Sequence, residues 1–294
     1  MVKVDSELYP FESNYLTRPG GRMHYLDEGK GHPVVMVHGN PTWSFYFRNL
    51  VKSLSNEFRC IVPDHIGCGL SDKPGRDAYR YELNTRIEDL TALIEHAVPE
   101  GRIDLVVHDW GGAIGFGWAV QNPDRIRRLV VLNTAAFPNP KIQTLPKRLG
   151  IIRNSFLGQF LVQGLNAFAF GATVMAVKKK LPAAVKQGYL APYDSWTNRI
   201  ATYEFVRDIP LSEDDAGYDT LVNMKSGLAR LTNKEMLICW GGKDFVFDDA
   251  FLETWKSHFP AASVEYFEDA GHYVLEDAEA LIVPQITSFL AAHE

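Results

Sequence analysis

Short runs of apolar, β-branched residues recur along the chain, each bounded by turn residues. Arg22–Asp27, Val34–His38, Arg59–Pro63, Ile103–His108, Leu129–Asn133, Met236–Trp240 and Ser263–Phe267 read as strands. Between them the apolar positions switch to helical spacing, over Ser44–Leu54, Thr85–His96, Gly111–Gln121, Asp249–His258 and Glu279–Ala291. Thr85 with Glu88 has the form of a capping box, so the second of these helices is expected to start at Thr85. Buried strands alternating with helices predict an α/β fold, a mostly parallel sheet with helices on both faces.

The alternation stops between about Pro138 and Leu231 and resumes at Met236. The expected organisation is a core of residues 1–137 and 213–294, with a helical cap over 138–212. Inside the cap, Phe156–Val177 holds 22 residues without a charge, followed by Lys178, Lys179 and Lys180. That length would span a bilayer. However, Gln159, Gln163 and Asn166 recur at spacings of four and three on one helical face, and three glycines loosen the run. An amphipathic segment folded against the protein is expected, not a transmembrane helix, with docking on a membrane surface or a partner as the minor alternative, and the lysine run is read as a solvated face.

Composition narrows the partners. The chain has 294 residues, 46% hydrophobic and 22% charged, with a net charge of −6. That balance suits a globular protein and argues against a nucleic-acid partner. Cys60, Cys68 and Cys239 are odd in number and form no CxxC, so buried thiols in a reducing cytoplasm are expected. The first residues contain no apolar leader run. Gly67 and Gly69 lack the third glycine of a dinucleotide fingerprint, and no P-loop or HExxH occurs, so no cofactor and no metal are expected.

The candidate chemistry lies at strand ends. Ile103–His108 is followed by Asp109-Trp110-Gly111-Gly112 and a helix, the strand–turn–helix context of a nucleophile elbow with Asp109 at its tip. The N-terminal N–H groups of that helix favour negative charge there. Asp244 follows the penultimate strand and His272 follows the last. In a parallel sheet all three share the carboxyl edge, where sites form. The chain order Asp109, Asp244, His272 reads as nucleophile, acid and base.

These segments resemble the α/β-hydrolase family, and within it the haloalkane dehalogenases. His38-Gly39-Asn40-Pro41-Thr42-Trp43 is similar to their oxyanion loop, Val107–Gly112 to their nucleophile motif, and Asp64–Asp72 to a loop common to these hydrolases. Asn133–Phe137 and Asp269–Asp277 resemble a sub-branch that also includes the β-lactone decarboxylases of bacterial olefin biosynthesis. The resemblance implies an α/β-hydrolase fold with the cap inserted after the strand ending near Asn133.

It also implies that Asp109 displaces an anionic leaving group, a halide, from a saturated carbon. The resulting alkyl ester would be cleaved by water that His272 activates, with Asp244 orienting His272. A serine would leave an ether, which water cannot readily cleave. The backbone N–H groups of Asn40 and Trp110 would form the oxyanion hole. Their side-chain N–H groups, by the resemblance, would hold the halide. Some dehalogenases place the acid one strand earlier, but that region offers only the amide of Asn133.

Four readings follow. Dehalogenation leads. β-Lactone decarboxylation to a long-chain alkene and CO₂ needs the same reactive groups. Epoxide hydrolysis would need two cap tyrosines, with Tyr189, Tyr193 and Tyr203 as candidates. A non-catalytic receptor or scaffold on the same fold would have no need of the Asp nucleophile. The expected partner is a small, neutral, lipophilic substrate, with homo-oligomerisation or assembly with a pathway enzyme through the apolar cap as a further possibility.

Overall fold

The computed structural model describes residues 4–141 and 153–292. The cap expectation over 142–152 lies outside the described residues. Eight strands, β1 (Asn14–Arg18), β2 (Gly21–Gly29), β3 (His32–Val37), β4 (Phe58–Pro63), β5 (Ile103–Asp109), β6 (Ile126–Thr134), β7 (Glu235–Gly241) and β8 (Ser263–Phe267), form one sheet. Their spatial order is β1-β2-β4-β3-β5-β6-β7-β8. The β1–β2 and β2–β4 pairs are antiparallel and every other pair is parallel.

Alternating side chains of the central strands feed two cores. Val35, Val37, Leu105 and Val107 enter one, while Val34, Met36, Val106 and Val130 enter the other. The first core lies under α2 (Leu83–Ala97) and α3 (Trp110–Ala119), the second under α1 (Arg48–Leu54). Every residue of β5 is buried, as expected of a central parallel strand.

Two expectations need correction. No strand was expected over Asn14–Arg18. It alternates half-buried and exposed positions at the sheet edge, so it lacks the continuous apolar run of the others. The helix expected from Thr85 starts at Leu83, with the extended Glu82 at its cap position and no side-chain cap bond. The Arg86 N–H bonds the Glu82 carbonyl and the Leu83 side chain is buried, so the helix starts two residues early and Thr85 caps nothing.

The cap helices are α4 (Phe156–Gln159), α5 (Ala167–Met175), α6 (Ala183–Leu190) and α7 (Ile200–Arg207). The uncharged segment is therefore not one helix. A π turn over Phe160–Gly164 and a left-handed Asn166 divide it. Its polar side chains face inward, with Gln163 Nε2–H donating to the Trp196 carbonyl (3.2 Å) and Asn166 Nδ2–H to that of Tyr193 (3.1 Å).

The cap is fastened to the core by buried polar contacts. Glu276 accepts from Arg48 (2.5 and 3.0 Å) and from the Tyr189 hydroxyl (2.5 Å). Arg86 pairs with Asp208 at 2.6 Å. The Asp277 carboxylate accepts the Lys178, Lys179 and Gly271 N–H groups at 2.7–2.9 Å, tying the end of the uncharged segment to the His272 loop. Beyond the cap, α8 (Tyr218–Gly227) packs on α3. The helices α9 (Asp249–His258), α10 (Val274–Asp277) and α11 (Glu279–Ala291) complete the chain. Among the described residues, no helix is long and apolar enough to cross a membrane.

Candidate active site

Asp109 ends β5 and begins the turn into α3 with φ 54° and ψ −129°, a conformation that non-glycine residues seldom adopt. The two residues after Trp110 have to be small. A Cβ on Gly111 would run into the Val37 carbonyl, and one on Gly112 into the Thr134 hydroxyl. These glycines let the neighbouring strands close around the turn and hold it in its unusual shape. The Thr134 hydroxyl also donates to the Asp109 carbonyl.

The structure brings Asp109, Asp244 and His272 together. His272 Nδ1–H donates to Asp244 Oδ2 at 2.8 Å, and Nε2 lies 3.4 Å from Asp109 Oδ2. The second Asp244 oxygen accepts the Val246 N–H at 2.7 Å. All three side chains are buried. His108 Nε2–H donates to the His272 carbonyl (2.9 Å) and so fixes the loop that carries His272.

The charges follow from this geometry. Burial alone would lower the pKa of His272. The Asp244 charge and the hydrogen bonds to Asp109 and Asp244 outweigh it and raise that pKa to about 10. Burial pushes the Asp109 carboxyl up, but His272 and the Trp110 N–H more than offset this and hold it below its ordinary value. His108 is pushed down to about 3, chiefly by burial, and stays neutral. At neutral pH His272 is therefore an imidazolium beside an ionised Asp109. Asp109 is already ionised and needs no base to become a nucleophile.

Asn40 and Trp110 flank Asp109. The Asn40 backbone N–H donates to Asp109 Oδ1 at 2.6 Å. The Asn40 side chain departs from a simple anion clamp. One Nδ2–H goes to the Thr202 carbonyl of the cap (3.1 Å), and Oδ1 is buried without a partner among the described residues. An amide nitrogen has a second N–H, so one donor remains. The Trp110 indole faces the cavity with the Phe205 ring 5.4 Å away and the Arg86 guanidinium 5.8 Å away. Asn133 stands where an alternative acid would, and Gly241 satisfies both ends of its amide (3.1 and 2.7 Å).

A cavity of about 370 Å³ opens over Asp109, within the usual range for small-molecule sites. Asp109 and His272 are its only charged lining groups among the described residues, so it suits a neutral, lipophilic molecule. Only the second half of the uncharged segment reaches it, through Ala167, Phe168, Gly171, Ala172, Met175 and Ala176. The core contributes Phe245, Val246 and Phe247, from a loop with no recognisable motif, and Phe251 from α9. Tyr273, next to His272, is a further lining residue that the pattern reading did not single out, although it sits inside the quoted Asp269–Asp277 segment.

The three cap tyrosines do not line the cavity. The Tyr189 hydroxyl donates to Glu276, that of Tyr193 to the Thr42 carbonyl (3.3 Å) and that of Tyr203 to the Arg153 carbonyl (2.9 Å). None is placed to protonate an epoxide. Among the described residues no group of three or more His, Cys, Asp or Glu is arranged to hold a metal ion.

The chain is similar to known proteins along most of its length. Residues 32–279 match the family model described as alpha/beta hydrolase fold. The cis-3-alkyl-4-alkyloxetan-2-one decarboxylase of Shewanella oneidensis is 49% identical, over 98% of this chain and 91% of that protein. The haloalkane dehalogenase of Mycobacterium marinum is 32% identical, over 96% and 94%. The crystal structure of a putative ancestral haloalkane dehalogenase is 26% identical, with a TM-score of 0.83 over 95% of this chain and 98% of that one. By sequence and by fold, the chain belongs to the α/β hydrolase fold family, in the branch that holds the haloalkane dehalogenases and the oxetanone decarboxylases.

Proposed function

We propose that this enzyme opens β-lactones carrying an alkyl group on each of the two adjacent ring carbons, releasing CO₂ and an alkene. The observation that carries this reading over dehalogenation is the 49% identity to an oxetanone decarboxylase, against 32% to a dehalogenase. A cavity whose described lining is apolar or neutral apart from Asp109 and His272, over a buried Asp109 held below its ordinary pKa, supports it.

In the proposed reaction Asp109 attacks the ring carbon that bears the ring oxygen. A bond from that carbon to Oδ forms, the ring C–O bond breaks, and the ring oxygen leaves as part of a carboxylate. Trp110 Nε1–H and the remaining Asn40 N–H receive that carboxylate, as they would a halide. The carboxylate is then lost as CO₂. Its bonding pair becomes the C=C bond, and the electron pair of the Oδ–carbon bond returns to Asp109. His272, charged and beside Asp109, stabilises the departing oxygen by restoring their ion pair. Backside attack leaves Oδ antiperiplanar to the carboxylate, so a cis-disubstituted lactone gives the cis alkene.

The second reading, hydrolytic dehalogenation, rests on the Asn40–Trp110 pair beside Asp109. A side-by-side assay separates the two. One arm offers a cis-3,4-dialkyl oxetan-2-one and measures alkene and CO₂, and the other offers bromoalkanes and measures bromide. The proposal expects the lactone to be favoured by at least about a hundredfold in kcat/KM, a transition-state difference of roughly 3 kcal/mol. Bromide release with no alkene would overturn it. In the same assay Trp110→Phe, which keeps the ring and deletes the N–H, is expected to slow lactone turnover roughly a hundredfold. An unchanged rate would show that the indole only packs.

A further inference from the structure

We propose that the outer face of the cap docks on an anionic lipid bilayer, with the mouth of the cavity turned toward the apolar phase. The first observation is the inverted polarity of the uncharged segment. Its polar side chains, Gln159, Gln163 and Asn166, are spent on the protein. Its apolar ones are left outside: Phe156 is 77% exposed, Leu157 64%, Leu165 60%, Val174 56% and Phe170 51%. Exposed apolar groups gathered on one segment mark a docking surface.

The second observation is continuity with the cavity. Phe168, Met175, Phe245 and Val246 are both exposed and cavity-lining. The apolar lining of the cavity over Asp109 therefore continues onto the protein surface through these four side chains.

The third observation, charge, chooses the occupant. Residues 138–193 contain eight Lys and Arg and no Asp or Glu, while the rest of the chain carries −14, giving the net −6. Lys178, Lys179 and Lys180 follow α5 and are exposed. The backbone bonds from Lys178 and Lys179 to Asp277 hold this run in place. Lys186 Nζ lies 3.8 Å over the exposed Phe170 ring, so a basic group and an apolar group share one patch. Lys141 and Arg153 are paired with Asp248 and Asp215, so the lysine run and Lys186 carry the argument. Four lysines beside outward aromatic and aliphatic side chains, on an element without acidic residues, fit an anionic lipid surface. The docking stands on these features alone. The corollary that a dialkyl substrate and its alkene exchange directly with the membrane rests on the lactone reading.

The test is co-sedimentation of the full chain, without substrate, with vesicles of phosphatidylcholine alone or of equimolar phosphatidylcholine and phosphatidylglycerol. Binding to the phosphatidylglycerol vesicles, weakened by high salt, is expected. Lys178→Gln with Lys180→Gln should lower that partitioning about tenfold to thirtyfold. Phe156→Ser with Leu157→Ser should lower it at least as much. None of these four residues lines the cavity, so the melting temperature and circular dichroism of both variants should match the parent and show that they fold.

No binding to phosphatidylglycerol vesicles would overturn the proposal. So would equal binding to both vesicle types unaffected by the lysine changes. A solution dimer that Phe156→Ser with Leu157→Ser converts to monomer would also overturn it, because a second copy would then be the occupant. Vesicle binding is read without turnover, so this proposal and the lactone reading fail separately.

Discussion

Asp109→Asn is expected to abolish turnover, lowering kcat by on the order of 10⁴ or more. The change is nearly isosteric, and asparagine tolerates the positive φ that this position requires. The turn and its glycine-lined surroundings should therefore survive, with a melting temperature close to the parent. What is lost is the charge. A neutral amide cannot displace an oxygen or a halide from a saturated carbon, and it cannot pair with the His272 imidazolium. Product formation, melting temperature and intact mass check the claim together. A folded variant with no product and no mass increase is the expected result. Full activity in a folded Asp109→Asn protein would remove the nucleophile from the account.

Asp244→Asn is expected to cost roughly a thousandfold in kcat and to move the alkaline limb of the pH–rate profile downward. The cost follows from the loss of the carboxylate that holds and charges His272, which in hydrolytic triads is worth this much or more. The sign follows from the cause. The Asp244 charge and the bonds to Asp109 and Asp244 raise the His272 pKa to about 10 against burial, so removing Asp244 lets burial pull it back toward neutrality. If the charged imidazolium assists departure of the Asp109 oxygen, activity falls as pH rises through the His272 pKa, and the variant loses activity at a lower pH than the parent. A hydrolytic route, in which neutral His272 activates water, gives the opposite slope. The pH dependence of kcat for both proteins therefore separates the two chemistries. A limb that does not move would show that Asp244 does not set the charge of His272.

The sheet was largely legible because its central strands are apolar on both faces and change sharply to helical spacing. Ser263–Phe267, Asp249–His258 and Glu279–Ala291 have the expected boundaries. The edge strand Asn14–Arg18 was not, because half of its side chains face solvent and only its pairing with Gly21–Tyr25 makes it a strand. The catalytic candidates were legible because Asp109, Asp244 and His272 each lie at or beyond the end of a strand, and parallel topology sends those ends to one edge.

The cap resisted this kind of reading. Periodicity placed Gln159, Gln163 and Asn166 on one face but could not say that the face turns inward. That depends on the carbonyls of Tyr193 and Trp196, more than 25 residues away. Nor does local sequence reveal that the Asn40 amide reaches the Thr202 carbonyl of the cap, or that Phe245, Val246 and Phe247 line the cavity. These are tertiary contacts without a local signature.

The most direct measurement of the proposed chemistry is the fate of the Asp109 oxygens. The enzyme would turn over a cis-3,4-dialkyl oxetan-2-one in water enriched in heavy oxygen, followed by mass analysis of the products and of the peptide that contains Asp109. Decarboxylative collapse breaks the bond between the alkyl carbon and Oδ. It is expected to give cis alkene and CO₂, with no heavy oxygen in Asp109 after many turnovers. Hydrolysis of the ester at its carbonyl would instead place heavy oxygen in the Asp109 carboxylate and release a β-hydroxy acid, and that result would contradict the account.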